Sequence, residues 1–390
     1  MINTVSEDKL RQLVAEQGTP LYVNSLAHLR ARAKIVTDMN MPYGFVPRYA
    51  AKANMNEGII ELFDKAGLHF DASSSYEAMK LIEMGVQPNK ISLSSQQPAH
   101  NLDELLSQGV LFTATSLHQL GLFLQSPKRL SKVGLRVNPG VGAGGNNRTT
   151  TGGLNSSFGL WHEYIDEALD LAKGAGVTID RLHIHYGSGA SADIWEQVID
   201  TSLALAARMP DVTSLDIGGG FKVSRYDGEA ETDLAAVGEI FARRLEAFAA
   251  KHHRELQLEI EPGTWLVAHA GTLVASVVDI VDTGEKGHTF LKLDTGMNDL
   301  IRPTMYGAQH KIAVLNDNDE HAKYVVVGHN CETGDILTPA PGDPEGLAER
   351  TLRKAATGDA VAIYDAGAYG RSFAVAGYNS YPSAKEVNIE

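Results

Sequence analysis

The sequence predicts an α/β protein with an added all-β part: a (β/α)8 barrel of the TIM type, followed by a carboxyl-terminal β-barrel domain. Two observations lead to this fold class. From about Leu21 to Ala270, short apolar runs alternate with amphipathic helical segments. After about Gly271 the helical periodicity is lost, and β-type runs continue between turns rich in Gly, Asp and Pro.

Eight apolar runs have the character of strands in a covered parallel sheet. They span residues 45–52, 69–74, 91–95, 110–114, 133–138, 182–186, 214–218 and 256–261. Between them, amphipathic segments predict helices at 57–66, 76–84, 101–108, 116–124, 164–175, 192–207 and 234–251. Eight strand–helix units of this length predict a closed barrel.

Later in the chain, four β-type runs at 272–281, 289–294, 323–327 and 360–364 predict the second domain. We therefore expect a barrel over residues 25–270 and a β domain over 271–390, against which residues 1–24 pack. The Gly-, Asn- and Thr-rich segment 140–153 predicts a long barrel loop, and loops of that length are usually binding loops or disordered.

Bulk composition excludes several classes of protein. The net charge of −14 argues against a nucleic-acid or anionic-membrane surface. No apolar run approaches a membrane span, and the polar start does not resemble a signal peptide. Cys331 is the single cysteine, so no intrachain disulfide can form, and a reducing, cytoplasmic setting fits best.

Lys52 ends the first barrel run, where we expect a crowded position rather than bulk solvent. A lysine ammonium is costly to bury, and formation of a Schiff base is the best-attested task of such a residue. Other chemically active residues also end barrel runs, and the active sites of such barrels lie at the carboxyl ends of the strands. These residues are Asp71, Asn138, His185, Gly218, Gly219, Gly220 and Glu261.

The three consecutive glycines allow backbone N–H groups to converge on an anion, although a tight turn would use the same residues. Ser188 is placed to add a hydroxyl group. Glu261, opposite a pyridine nitrogen, would hold that ring protonated and make it an electron sink. His185 suits either a core position or stacking on an aromatic cofactor.

The β domain carries a second set of candidates. Cys331, flanked by acidic residues and a glycine turn, could donate a proton. Tyr369 lies in a glycine-rich turn suited to a phosphate hydrogen bond. Arg302 and Tyr306 could bind a carboxylate through a forked contact and a hydroxyl group.

Several other chemistries lack their motifs. No Walker-type loop and no G-x-S-x-G elbow is present, and no G-x-G-x-x-G opens a helix after a strand. His183 and His185 are two residues apart, but no cysteine or carboxylate set near them in the sequence completes a zinc site, so no metal is expected.

Taken in order along nearly the whole chain, these motifs resemble the fold-type III (alanine-racemase-like) pyridoxal-phosphate decarboxylases, and among them most closely the diaminopimelate decarboxylases. The motifs that carry the resemblance are Lys52, Asp71 with Glu77, Arg136 to Pro139, Thr151 to Gly153, His183 to Ser188, the triple glycine, Glu261 to Gly263, Asn298 to Pro303, Cys331-Glu332, Gly367 to Gly370 and Tyr378-Asn379.

The resemblance implies pyridoxal 5'-phosphate as the cofactor and a homodimer with shared active sites. Lys52 would bind the cofactor covalently, His185 would stack on its ring and Glu261 would pair with the ring nitrogen. The cofactor site would further include Asp71, Ser188, Gly218 to Gly220, Gly263 and Tyr369. The partner subunit's copy of the Cys331-Glu332 segment would supply a proton donor and an acid that binds the distal amine of the substrate. Arg302, Tyr306 and Tyr369 would complete the substrate site.

The implied reaction is decarboxylation of an amino acid, first of all meso-diaminopimelate to L-lysine. Thr264 replaces the arginine that usually follows Glu-Pro-Gly in the family, and Ser157 replaces a basic residue, which leaves Arg148 or Arg371 as possible substitutes. The alternative is therefore a related diamino acid, or a carboxyl-bearing adduct in a specialised pathway such as siderophore or polyamine synthesis. A racemase is disfavoured because Glu261 occupies the position where such enzymes carry an arginine.

Overall fold

The computed structural model describes residues 4–142, 152–226 and 228–390. The chain divides into two compact units. One comprises Arg32–Lys222 and Ala230–Gly263, and the other comprises Met1–Ala31, Val223–Glu229 and Thr264–Glu390. Within the described part of the chain, no helix is long and apolar enough to cross a membrane.

The first unit contains a closed parallel barrel of eight strands. In order, they are Phe45–Ala50, His69–Ala72, Ile91–Leu93, Leu111–Ala114, Lys132–Asn138, Thr178–His183, Ser214–Asp216 and Gln257–Ile260. Each strand pairs with the next, and Leu258 pairs with Phe45 to close the ring. The predicted barrel is confirmed. Six of the eight predicted runs contain one strand each, whereas the strand Lys132–Asn138 begins one residue before its run and the strand Thr178–His183 overlaps its run only at Leu182 and His183.

The helices that alternate with the strands are Glu57–Lys65, Ser75–Glu83, Leu102–Gln108, Leu117–Gln125, Ile165–Gly174, Ala192–Arg208 and Leu234–His252. The helix Leu26–Thr37 precedes the first barrel strand, and the short strand Leu160–Trp161 pairs with the fifth. Several helices begin at a side-chain cap soon after a strand ends. Ser74, for example, accepts a hydrogen bond from the Glu77 backbone at 3.1 Å, while the Glu77 carboxylate accepts one from Ser73 at 2.7 Å. Such reciprocal caps fix where each strand-to-helix loop turns.

The interior of the barrel carries a buried network of charges. Arg48 pairs with Glu259, and Arg181 pairs with Asp216 and, at 3.1 Å, with Glu259. Thr113 also accepts a hydrogen bond from Arg181 at 2.9 Å. All five of these side chains are buried. Because an unpaired buried charge is costly, this pairing keeps Asp216 ionised at the end of its strand.

The second unit is built on a mostly antiparallel sheet. Its strands follow the order Ile312–Val314, Ala360–Ile363, Gly271–Asp282, Thr289–Leu293, His321–Val327 and Arg350–Arg353. Leu21–Ser25 pairs with Gly271–Asp282 and with Lys385–Ile389, and Pro339–Ala340 pairs with Asp343–Leu347. The helices are Glu7–Gln17, Thr264–Val267 and Arg302–Tyr306. All four β runs predicted after Gly271 form strands, while the shorter and more charged strands were not predicted.

Alternation along the long strand Gly271–Asp282 explains its two-sided burial. Leu273 and Ala275 face one apolar core of the sheet, and Val274 faces another. The amino-terminal helix Glu7–Gln17 buries Leu10 in the core that contains Val274. Successive strand side chains point to opposite faces, so both faces of this strand need cover.

Candidate active site

Lys52 lies in a single turn of 3-10 helix, Ala51–Ala53, immediately after the first barrel strand. Its side chain is exposed, so the expectation of a crowded position is wrong. Gly263 explains how this turn fits: a Cβ atom there would lie 3.1 Å from the Cβ of Ala53 and 3.2 Å from that of Ala50. A larger residue at 263 would displace the turn that presents the Lys52 amine.

Glu261 follows the last barrel strand, is buried, and lies beside a second buried carboxyl group, Asp216. Burial and the charge of Asp216 raise the pKa of Glu261 to about 8. Burial also acts to raise the pKa of Asp216, but His183, Arg181 and a hydrogen bond from Glu261 bring it below its ordinary value. The pair therefore holds one proton near neutral pH, and Glu261 carries it.

His183 completes this cluster, with its Nε2 atom 3.4 Å from Oε2 of Glu261. Ligand atoms of His183, Asp216 and Glu261 lie within 4.8 Å of one another, so the sequence interpretation that no carboxylates accompany His183 is wrong in three dimensions. Burial lowers the pKa of His183 to about 4, which leaves the ring neutral. Because Arg181 already pairs with Asp216, a cation is present at the cluster without a metal.

His185 accepts a hydrogen bond at Nδ1 from the backbone of Gly219 at 3.1 Å. Burial, followed by the charges of Arg136 and Lys52, holds the pKa of His185 well below its ordinary value. A neutral imidazole with a fixed ring plane is suited to stacking on a flat cofactor. The backbone of the glycine turn thus helps to fix the orientation of this ring.

The triple glycine forms a turn that tolerates no side chains. A Cβ atom at Gly218 would lie 2.4 Å from Nδ1 of His185, one at Gly219 would lie 2.3 Å from the Glu261 carbonyl, and one at Gly220 would lie 1.8 Å from the Gly187 carbonyl. Gly218 and Gly220 also have positive φ angles of 71° and 100°. The backbone N–H groups of Gly218 and Gly219 donate to Asp216 at 2.8 Å and to His185 at 3.1 Å, so the expected convergence of three N–H groups on an anion is reduced to Gly220.

Asp71 ends the second barrel strand and is buried. Ser94 donates a hydrogen bond to its Oδ1 atom at 3.2 Å. Burial and the charge of Glu261 raise the pKa of Asp71 to about 6, against the opposing effect of Lys52. Asp71 and Lys52 thus belong to one electrostatic group with Glu261. Ser188 follows the His183–Gly187 segment and is partly buried.

The second unit holds the remaining candidates. Cys331 is an exposed free thiol whose backbone N–H donates to Oδ1 of Asn379 at 2.7 Å. Glu332 is also exposed, and its Oε1 atom accepts a hydrogen bond from the Gly334 backbone at 3.2 Å. The buried Asp335 accepts hydrogen bonds from the backbone N–H groups of neighbouring segments and so anchors this loop. The loop presents both functional groups to the outside of its unit.

Arg302 begins the short helix Arg302–Tyr306, so Arg302 and Tyr306 lie one turn apart. Tyr369 has a φ angle of 54°, a left-handed conformation that is rare for an aromatic residue and that indicates a constrained position. Its phenol and that of Tyr306 both raise the pKa of Arg302, in opposition to the larger effect of burial. The phenol groups of Tyr306 and Tyr369 thus both act electrostatically on the Arg302 guanidinium.

Sequence reasoning missed the electrostatic roles of Asp216 and His183, because they depend on neighbours that only the fold brings together. The residues Arg148 and Thr151 lie outside the described residues, as does most of the predicted loop 140–153. Ser157 is exposed and accepts a hydrogen bond from Gln96 at 3.3 Å, and Thr264 begins the helix Thr264–Val267.

The barrel residues fit pyridoxal phosphate. The Oε1 atom of Glu261 is buried without a hydrogen-bond partner among the described residues, and a ring nitrogen is a suitable partner. The glycine turn suits a phosphate group, and the exposed Lys52 amine suits an aldehyde. Fold and site together define an enzyme of the class that uses pyridoxal phosphate on a (β/α)8 barrel.

Residues 26–268 match the family model described as pyridoxal-dependent decarboxylase, pyridoxal binding domain. The chain belongs to this family of decarboxylases. It is 32% identical to a diaminopimelate decarboxylase of Streptomyces coelicolor, over 98% of this chain and 87% of the relative. A crystal structure of a diaminopimelate decarboxylase has a TM-score of 0.91 at 30% identity, covering 99% of this chain and 92% of its own. The Helicobacter pylori diaminopimelate decarboxylase complexed with L-lysine has a TM-score of 0.86 at 25% identity, covering 98% and 94%.

Proposed function

We propose that this pyridoxal-phosphate decarboxylase converts meso-diaminopimelate to L-lysine and carbon dioxide. The observation that supports it most is the match of the whole chain, both domains included, to diaminopimelate decarboxylases. One carbon–carbon bond breaks, carbon dioxide leaves, and a proton takes its place on the substrate carbon. The single cysteine supports a reducing compartment, and we propose the cytoplasm.

Lys52 would hold the cofactor covalently through its amine. The Gly218–Gly220 turn, through the backbone N–H of Gly220, would bind the phosphate together with the hydroxyl groups of Ser188 and Tyr369, while the N–H groups of Gly218 and Gly219 hold Asp216 and His185 in place. His185 would stack on the ring, and Asp71 would balance the charge of Lys52. When bound, the cofactor supplies an electron sink for the negative charge that remains on carbon as carbon dioxide leaves.

Glu261 has one specific task in this arrangement. Its raised pKa means that the carboxyl group carries a proton at neutral pH and can donate a hydrogen bond to a ring nitrogen. Asp216 next to it stays ionised, and Arg181 neutralises Asp216. The pair can therefore share its proton with the ring nitrogen. A ring that receives this proton withdraws electrons more strongly than the unprotonated ring of a racemase.

Outside the barrel, Cys331 is proposed to return a proton to the substrate carbon, and Glu332 to bind the distal amine. Both side chains are exposed, as they would need to be in order to serve the partner subunit of a homodimer. We propose such a dimer with shared active sites. Arg302 and Tyr306 would bind the distal carboxylate, with Tyr369 alongside.

Release of carbon dioxide from a panel of amino acids tests the substrate. The panel comprises the three stereoisomers of diaminopimelate, together with lysine, ornithine and a carboxyl-bearing diamine adduct. We expect turnover of the meso isomer to exceed that of lysine and ornithine by at least about 100-fold, because a site built for a distal carboxylate leaves its cations unpaired when that group is missing. Preference for the adduct, or equal rates for ornithine, would refute the substrate assignment.

A further inference from the structure

Arg225 is a buried arginine without an evident partner. It belongs to the segment Val223–Glu229, which folds with the second unit although it lies between two stretches of the barrel unit in the sequence. Its side chain is 8% exposed, and its Nε and Nη2 atoms have no hydrogen-bond partner among the described residues. Only its backbone N–H is engaged, by the Glu229 carboxylate at 2.8 Å. Buried donors of this kind usually have a partner, which indicates that one is missing.

Arg302 is the second cation of this region, and His310 orients it. The Nη1 atom of Arg302 lies 3.0 Å from Nε2 of His310, whose Nδ1 atom lies 2.9 Å from the Tyr364 carbonyl. Because a carbonyl only accepts, Nδ1 carries the proton and Nε2 accepts from the guanidinium. Burial, followed by the charges of Arg302 and Arg225, keeps the pKa of His310 well below its ordinary value. The ring is neutral, and it occupies one edge of the Arg302 fork.

Arg225 and Arg302 destabilise each other. Burial lowers the pKa of Arg225, and burial together with the charge of Arg225 lowers the pKa of Arg302 to about 9. Glu229 attracts both cations, yet no carboxylate forms an ion pair with either guanidinium in the part of the chain described. Glu229 and Asp365 offset only part of the cost of burying Arg225, and its pKa stays below the ordinary value. A bound anion would lower the remaining cost of two buried like charges.

We propose that Arg225 and Arg302 together form an oxyanion site for the distal carboxylate of the substrate, so that Arg225 determines substrate specificity. This inference rests on the proposed function. Arg225 would supply the second cation for which the sequence suggested Arg148 or Arg371. It lies in a segment that the sequence motifs did not include. A planar carboxylate suits two guanidinium forks. The same chemistry would serve the cofactor phosphate, but the glycine turn and Ser188 in the barrel unit are already assigned to that group.

The test compares L-lysine and cadaverine as inhibitors of the holoenzyme, because these diamines differ only by the carboxylate. Arg225→Gln should raise the inhibition constant of L-lysine at least about tenfold and change that of cadaverine less than about twofold. Arg225→Lys keeps the charge but loses the forked guanidinium, so its inhibition constant for L-lysine should lie between those of the wild type and Arg225→Gln. Arg244→Gln is the matched control, since Arg244 is a half-exposed arginine paired with Glu196 and Asp200.

A second measurement separates a binding role from a structural one. Arg225→Gln removes one of two repelling buried cations, so the thermal midpoint of the substrate-free holoenzyme should rise by a few degrees. A fall in both Arg225 variants would assign Arg225 to the fold and overturn the proposal. Weaker cofactor affinity, measured by equilibrium dialysis, with an unchanged lysine-to-cadaverine ratio would overturn it in favour of the phosphate.

Failure of the proposed function gives a different result. If diaminopimelate is not turned over but L-lysine still binds more tightly than cadaverine through Arg225, the carboxylate site stands and the substrate is another amino acid with a distal carboxylate. If diaminopimelate is turned over and Arg225→Gln retains the wild-type lysine-to-cadaverine ratio, the function stands and the assignment of Arg225 is wrong.

Discussion

Glu261→Gln replaces a buried, protonated carboxyl group by a neutral amide of nearly the same shape. The pKa of Glu261 is raised from 4.5 to about 8 by burial and by the charge of Asp216. The folded chain therefore retains a proton that the unfolded chain releases. The contribution of Glu261 to stability is fully present below about pH 4.5 and is lost as the pH rises through about 8. Linkage gives a loss of about 3 kcal/mol in the free energy of unfolding between about pH 6 and pH 9.

The assay is urea unfolding of the cofactor-free protein, followed by tryptophan fluorescence at several pH values over that range. The free energy of unfolding of the wild type should fall by about 3 kcal/mol more than that of Glu261→Gln, because glutamine does not ionise. Groups that titrate in both proteins and lie far from Glu261 cancel in the comparison. In Asp216→Asn the pKa of Glu261 should fall, so the loss of stability with rising pH should be smaller and should end at a lower pH. Identical pH dependence in the wild type and Glu261→Gln would refute a shared proton on Glu261.

Four further outcomes are expected. Lys52→Ala should abolish the visible absorption band of the covalently bound cofactor, and an unchanged band contradicts that attachment. Cys331→Ala should keep the cofactor but lose most normal turnover, and full activity would remove its role as proton donor. Mixed Lys52→Ala and Cys331→Ala subunits should regain activity if sites are shared, whereas no rescue despite confirmed subunit exchange counts against sharing. Gly220→Ala should weaken cofactor binding at least about tenfold, because its Cβ would lie 1.8 Å from the Gly187 carbonyl, whereas Gly174→Ala, with open space around it, should not.

The barrel strands could be predicted closely because each is a short apolar run bounded by turn residues, and each helix carries one apolar face. The predicted run 45–52 contains the strand Phe45–Ala50, and the predicted helix 57–66 contains Glu57–Lys65. The strand Leu21–Ser25 was not among the predicted β runs, although residues 1–24 were expected to pack against the β domain, and it pairs in the β sheet. A fully buried run of five residues has the same sequence pattern in the barrel sheet and in the β sheet. Only the strand with which it pairs shows to which sheet it belongs.

The order of the motifs in the chain determined the family, the cofactor and the residues at the strand ends, because local patterns of apolar residues, glycines and turns are written in the sequence itself. Only the tertiary structure decided the charges of these residues. Glu261 carries a proton because Asp216, from another strand, is buried next to it. The charge of Arg225 lowers the pKa of Arg302 although 76 residues lie between them in the sequence. The energy of a buried charge depends on what surrounds it in space, and sequence neighbours do not reveal those surroundings.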